Sequence, residues 1–138
     1  MGPEFDRSLR CVARPALDAA GFEFDGRRRF VKVDAQGEGL VIEYQVGVRA
    51  MQGRFAVNLI VHGRTERLAM HRPTLMSRLV ERLFGDYDPW WKGIFLPKDD
   101  WWRISPFQKE MDAVVAKTVK DLEAYGIAWL ENAAGAVR

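Results

Sequence analysis

Apolar residues alternate with their neighbours in the middle of the chain. Leu40, Ile42, Tyr44, Val46 and Val48 form one stripe, and Phe55, Val57, Leu59 and Val61 form the next. A period of two over this length predicts a half-buried antiparallel hairpin, with Glu43 and Asn58 on the face turned away from the core. Upstream, Arg29, Val31 and Val33 alternate with Arg28, Phe30 and Lys32, which predicts a first strand. Asp25-Gly26, then Gln36, Gly37 and Gly39, then Gln52-Gly53 supply the turns. These elements make a three-stranded meander, and Trp101 to Ile104 is a candidate fourth strand.

Helical periodicity brackets the strands. Phe5, Leu9, Val12, Ala13, Ala16, Leu17 and Ala20 recur at helical spacing, and Gly21 stands where a left-handed cap closes a helix. Pro15 falls inside that stripe, so a kink or a restart is expected there. A short third helix is predicted from Thr74 to Phe84, on Leu75, Met76, Leu79, Val80 and Leu83, with Gly85 as its stop. Ser105-Pro106-Phe107-Gln108 reads as a helix start, with serine as N-cap, proline at the first position and glutamine closing a capping box. Met111, Val114, Val115, Thr118, Leu122, Tyr125 and Trp129 then carry the buried face of a last helix, and Gly126 is a candidate early stop. The expected fold is α+β. A three- to four-stranded antiparallel sheet is packed by the N-terminal and C-terminal helices in a single domain over residues 1–138.

The order of helix, Gly21-Phe22, Gly26-Arg27 with Phe30, and a strand ending in Tyr44-Gln45 resembles the bacterial domain-of-unknown-function family 4304. Phe55-Ala56-Val57-Asn58-Leu59, Trp101-Trp102 and the segment Tyr125 to Leu130 extend the likeness over most of the chain. The resemblance implies a small α+β bacterial protein and brings no catalytic residue with it. Small proteins of this style often act as immunity proteins beside toxins, which makes a toxin-neutralising antitoxin the function expected by analogy.

Composition narrows the chemistry. The net charge of +2 is too small to demand a nucleic-acid or membrane partner. No apolar run approaches the ~20 residues of a membrane span, and the N-terminus lacks a signal-peptide pattern. Cys11 is the one cysteine, so no internal disulfide can form and a reducing cytoplasm is the expected compartment. Its place next to an apolar stripe makes it a small core or boundary residue rather than a nucleophile. His62 and His71 match no metal spacing and are expected at a strand end and in a loop, facing solvent. Ser8, Ser77 and Ser105 stand in no nucleophile elbow, and no glycine-rich phosphate loop is present. No catalytic residue, cofactor site or metal site is assigned, and a non-enzymatic role is favoured over catalysis.

The tryptophans are the strongest functional signal. Trp90, Trp91, Trp101 and Trp102 cluster among Asp88, Asp99 and Asp100 in and after a long irregular stretch. Adjacent rings on an extended chain face opposite sides, so one ring of each pair can enter the core while the other finds a second partner or stays exposed; the alternative is a loop that folds back and buries all four rings. Asp88, Trp90, Trp91, Asp99, Asp100 and Trp102 are therefore the expected partner-binding surface, another protein being the expected partner. An alternative is a small-molecule or hydrolytic pocket on the sheet face using Tyr44, Asn58, His62 and Arg28. A second alternative, less favoured, is nucleic-acid binding through Arg27, Arg28 and Arg29, whose basic run is interrupted by acids.

Overall fold

The computed structural model describes residues 2–71, Arg82 and residues 101–136. The chain starts with a helix from Pro3, crosses a six-stranded antiparallel sheet, and ends in a helix that reaches Ala136. The strands are β1 (Glu23–Phe24), β2 (Arg29–Val33), β3 (Gly39–Val46), β4 (Arg54–Val61), β5 (Arg64–Arg67) and β6 (Trp102–Arg103). They run in the order β1-β2-β3-β4-β5, and β6 also pairs with β4. β5 covers the second half of β4, Asn58 facing Arg67, and β6 covers its first residues, Phe55 facing Trp102.

The predicted α+β class, the central meander and the fourth strand near Trp101 are all present. The sheet is larger than expected because β1 and β5 were not visible as strands. β1 has only two residues, and Arg64-Thr65-Glu66-Arg67 has no apolar face to announce it. His62 (φ 50°) and Gly63 (φ 75°) make the two-residue left-handed turn that joins β4 to β5. The third helix predicted over Thr74 to Phe84 lies outside the described residues, Arg82 excepted, which is helical.

Both helices cover one face of the sheet. Leu40, Ile42, Tyr44, Phe55, Val57, Leu59 and Val61 are buried there with Phe5, Leu9, Ala13, Leu17, Met111, Val115 and Leu122. Val48 departs from the predicted stripe and is 74% exposed. β3 ends at Val46 because Gly47, after a last rung to the Arg54 carbonyl, folds tightly onto Met51. A Cβ at Gly47 would collide with the Met51 backbone, so only glycine fits.

Pro15 does not break the first helix. Before it the chain widens into a π-turn, Leu9–Ala13, where the Arg14 N–H reaches back five residues to the Leu9 carbonyl. The wide turn relaxes the steric demand of the proline ring, and the α-helix resumes over Arg14–Ala19. The helix closes as the sequence predicts. Phe22 N bonds the Leu17 carbonyl, Gly21 N bonds the Asp18 carbonyl, and Gly21 adopts φ 93°.

The last helix starts at Gln108 rather than at Pro106. The Ser105 hydroxyl still serves its start, accepting from the Phe107 N–H at 3.1 Å and donating to Glu110 at 2.8 Å. Gln108 turns instead toward the first helix, its amide donating to the Glu4 carbonyl, the Ser8 hydroxyl and Asp112. Gly126 does not stop the helix. A second π-turn, Leu122–Gly126, passes into the helical segment Ile127–Ala136. A Cβ at Gly126 would stand 2.9 Å from Leu68 Cδ1 and 3.0 Å from Leu122 Cδ2, so glycine is there for close packing.

Candidate binding surface on the polar face of the sheet

The residues that alternate with the core stripe build a second, polar surface. Arg29 comes from β2, Glu43 and Gln45 from β3, Asn58 from β4 and Arg67 from β5. The antiparallel register sets Arg29 opposite Glu43, Glu43 opposite Asn58, and Asn58 opposite Arg67. Directly opposed side chains on one face come within hydrogen-bonding reach, so the sequence of pairs becomes a ladder across four strands.

Each rung is a hydrogen bond. The Arg29 guanidinium holds Glu43 Oε2 at 2.7 Å. Asn58 Nδ2 donates to Glu43 Oε1 at 3.0 Å and to Gln45 Oε1 at 2.9 Å. Arg67 Nη1 donates to Asn58 Oδ1 at 2.8 Å and to Gln45 Oε1 at 3.1 Å. Asn58 is only 4% exposed, so its orientation is fixed by these neighbours: the amide nitrogen faces two acceptors and the amide oxygen faces a cation. Most of the ladder is at the surface, and the Arg29–Glu43 pair contributes no more than about 1 kcal/mol to stability. Its larger effect is to hold five side chains in one arrangement.

The ladder continues onto an aromatic ring. The Arg67 guanidinium lies over the Trp101 ring, 4.8 Å from its centroid. Trp102 faces the other way and stacks on Phe55 at 5.7 Å and 22°. The adjacent rings therefore divide as the alternation requires, Trp102 toward the core and Trp101 onto the polar face. Both are half-buried.

A shallow, open concavity of about 730 Å³ lies on this face, bordered by Asp25, Arg27, Arg29, Glu43, Gln45 and Asn58. Of the four residues of the alternative pocket, Arg28, Tyr44 and Asn58 also border it, whereas His62 is not among its lining residues. The Tyr44 side chain enters the core on the helix side, 1% exposed, with its hydroxyl bonded to Thr118. Burial raises the Tyr44 phenol well above its usual pKa. Arg28 pairs with Asp6 at 3.2 Å and lies over the Phe5 ring. His62 does not face open solvent as expected. Its Nε2 donates to the Ala134 carbonyl at 3.0 Å, and its Nδ1 lies 3.3 Å from Glu38. The histidine thus fastens the last helix to the end of β4.

Among the described residues no hydroxyl or thiol is hydrogen-bonded to a histidine, and no cluster of three His, Cys, Asp or Glu has the geometry of a metal site. Ser8 is fully buried between the helices, where its hydroxyl donates to Asp112 at 2.6 Å. That bond, followed by the one from Gln108, holds the Asp112 carboxyl below the usual carboxylate range. Cys11 is exposed, which corrects the expectation of a core or boundary residue. The helical stripe runs through Leu9 and Ala13, and Cys11 lies on the opposite side of the helix. Asp88, Trp90, Trp91, Asp99, Asp100 and Ser77 lie outside the described residues, as does the His71 side chain. Of the predicted partner surface, Trp102 is described, and its neighbour Trp101 faces outward.

Among the described residues no helix is long and apolar enough to cross a membrane. No protein-family model matches the chain, and comparison with curated proteins and with solved structures finds no match.

Proposed function

We propose that this chain is a non-enzymatic module that binds another protein through the polar face of its sheet. The immunity type, in which a small domain occludes a toxin, is the form of that activity favoured by the sequence resemblance. One observation carries the reading: the outward Trp101 ring lies under Arg67, which is itself tied into the ladder of Asn58 and Gln45. Tryptophan and arginine are the residues most enriched at binding hot spots, and side chains already ordered before binding lose less entropy on contact. The segment with Asp88, Trp90, Trp91, Asp99 and Asp100 leads directly into Trp101, so the proposed surface joins that segment to the sheet face.

The test is affinity capture from the native host with the unaltered chain, Trp101→Ala, Arg67→Ala and the control Lys109→Ala, read by mass spectrometry. A partner retained by the control and lost from both site variants, with melting temperatures checked in parallel, supports the reading. A partner retained equally by all four chains, or no specific protein at all, defeats it.

A further inference from the structure

The cations on the polar face are not treated alike. Arg29 is neutralised by Glu43. Arg54 and Arg103, by contrast, are register partners on β4 and β6, two guanidinium-bearing residues directly opposed on one face. Like charges placed opposite each other destabilise a sheet. Just before β6 on the same face is Trp101, and over it lies Arg67, whose hydrogen bonds go to the neutral amide oxygens of Asn58 and Gln45. Among the described residues no carboxylate pairs with Arg54, Arg67 or Arg103. Among the described residues, this corner therefore gathers three positive charges around one indole without a paired carboxylate.

We infer that the corner formed by Arg54, Arg67, Trp101 and Arg103 docks an acidic segment of the protein partner, whose carboxylates take the three guanidinium groups. This deepens, and rests on, the protein-binding reading above. The chemistry of Arg67 fits the role. Among the described residues both of its side-chain bonds leave from Nη1, so Nε and Nη2 can grip a carboxylate in the plane of the group while its face stays on the indole. Arg103 is exposed and Arg54 half-exposed, so a carboxylate between them meets little steric resistance and relieves their repulsion. A nucleic acid fits less well. The described part of this face offers one outward tryptophan, already covered on one side by Arg67, rather than a series of stacking platforms. The chain's net charge of +2 also supplies little general attraction for a phosphate backbone.

The experiment titrates the isotope-labelled full chain with a synthetic peptide of alternating Glu and Ala at low salt. NMR follows the Trp101 indole N–H and the arginine Nε–H signals. The expected result is a salt-sensitive shift at Trp101, Arg54, Arg67 and Arg103. The affinity should fall at least tenfold in the double variant Arg54→Glu/Arg103→Glu, with circular dichroism and melting temperature preserved, and stay unchanged in Lys109→Glu. Absence of the shift, equal binding by the charge-reversed chain, or tighter binding of a single-stranded thymidine oligonucleotide overturns the inference. A captured protein that holds the charge-reversed chain as firmly as the unaltered one also overturns it, while leaving the protein-binding reading intact.

Discussion

The Tyr44 phenol donates a hydrogen bond to the Thr118 hydroxyl at 2.8 Å, deep between sheet and helix. The direction follows from Thr118, whose own proton goes to the Val115 carbonyl at 2.7 Å. Tyr44 is thus a core residue with one polar atom, and that atom is satisfied.

Tyr44→Phe should cost about 0.5–1.5 kcal/mol in denaturant unfolding, the usual net worth of one internal hydrogen bond. The same tyrosine sets an alkaline limit. Its pKa is raised by burial, so the folded state keeps the proton that the unfolded state releases above pH ~10. Its contribution to stability is complete below that pH and is lost as the pH climbs further. Thermal melts at rising pH should show this decline, and Tyr44→Phe should flatten it.

Asp112 sets a limit at the acid end. Bonds from Ser8 and Gln108 depress its pKa, so the folded state favours the carboxylate. The stabilisation is present above the unfolded value of about 3.9 and disappears as the pH falls through the lower folded value. Asp112→Asn should remove this part of the acid dependence, measured as a shallower fall in melting temperature on acidification. Ser8→Ala should act in the same direction, since the Ser8 bond is the largest cause of the shift.

Cys11 should react quickly with a disulfide reagent under native conditions, at the rate of an accessible thiol. Cys11→Ala should change stability by no more than about 0.5 kcal/mol, as exposed substitutions usually do. Slow labelling, accelerated by denaturant, would contradict the exposure described here.

Gly126→Ala should destabilise despite alanine's better helix propensity. The propensity gain is about 1 kcal/mol, whereas forcing a methyl between Leu68 and Leu122 costs about 1–3 kcal/mol. The net loss, at most about 2 kcal/mol by these principles, should appear as a lower denaturant midpoint with an unchanged slope.

The sequence made the core legible because burial on one face writes a period of two. Ile42, Tyr44, Val57 and Leu59 could be assigned without coordinates, and Glu43 and Asn58 could be placed on the other side. The ladder was not legible, because it depends on register, and the decisive partner of Asn58 sits on β5, a strand made of polar residues. The restart expected near Pro15 is present, whereas the early stop expected at Gly126 is not, and the two positions share one device. Each is a helix breaker by propensity, and each is accommodated by a π-turn whose spacing no simple helical periodicity reveals. The division of Trp101 and Trp102 between two faces was legible, but not which ring goes where: Trp102, expected at the binding surface, stacks on Phe55, and Trp101 lies under Arg67.

The outer side of β4 is closed by two strands of very different origin. β5 follows β4 through a two-residue turn, so it pairs almost as soon as β4 exists. β6 returns from far along the chain to set Trp102 against Phe55. A contact of that sequence separation carries a larger loop-closure cost and tends to form late. Weakening it, as Trp102→Ala would, should therefore hasten unfolding far more than it slows folding. The outward tryptophan belongs to this late-arriving piece, so the proposed binding corner is completed near the end of folding, and a chain caught earlier would hold its core while lacking the surface it uses.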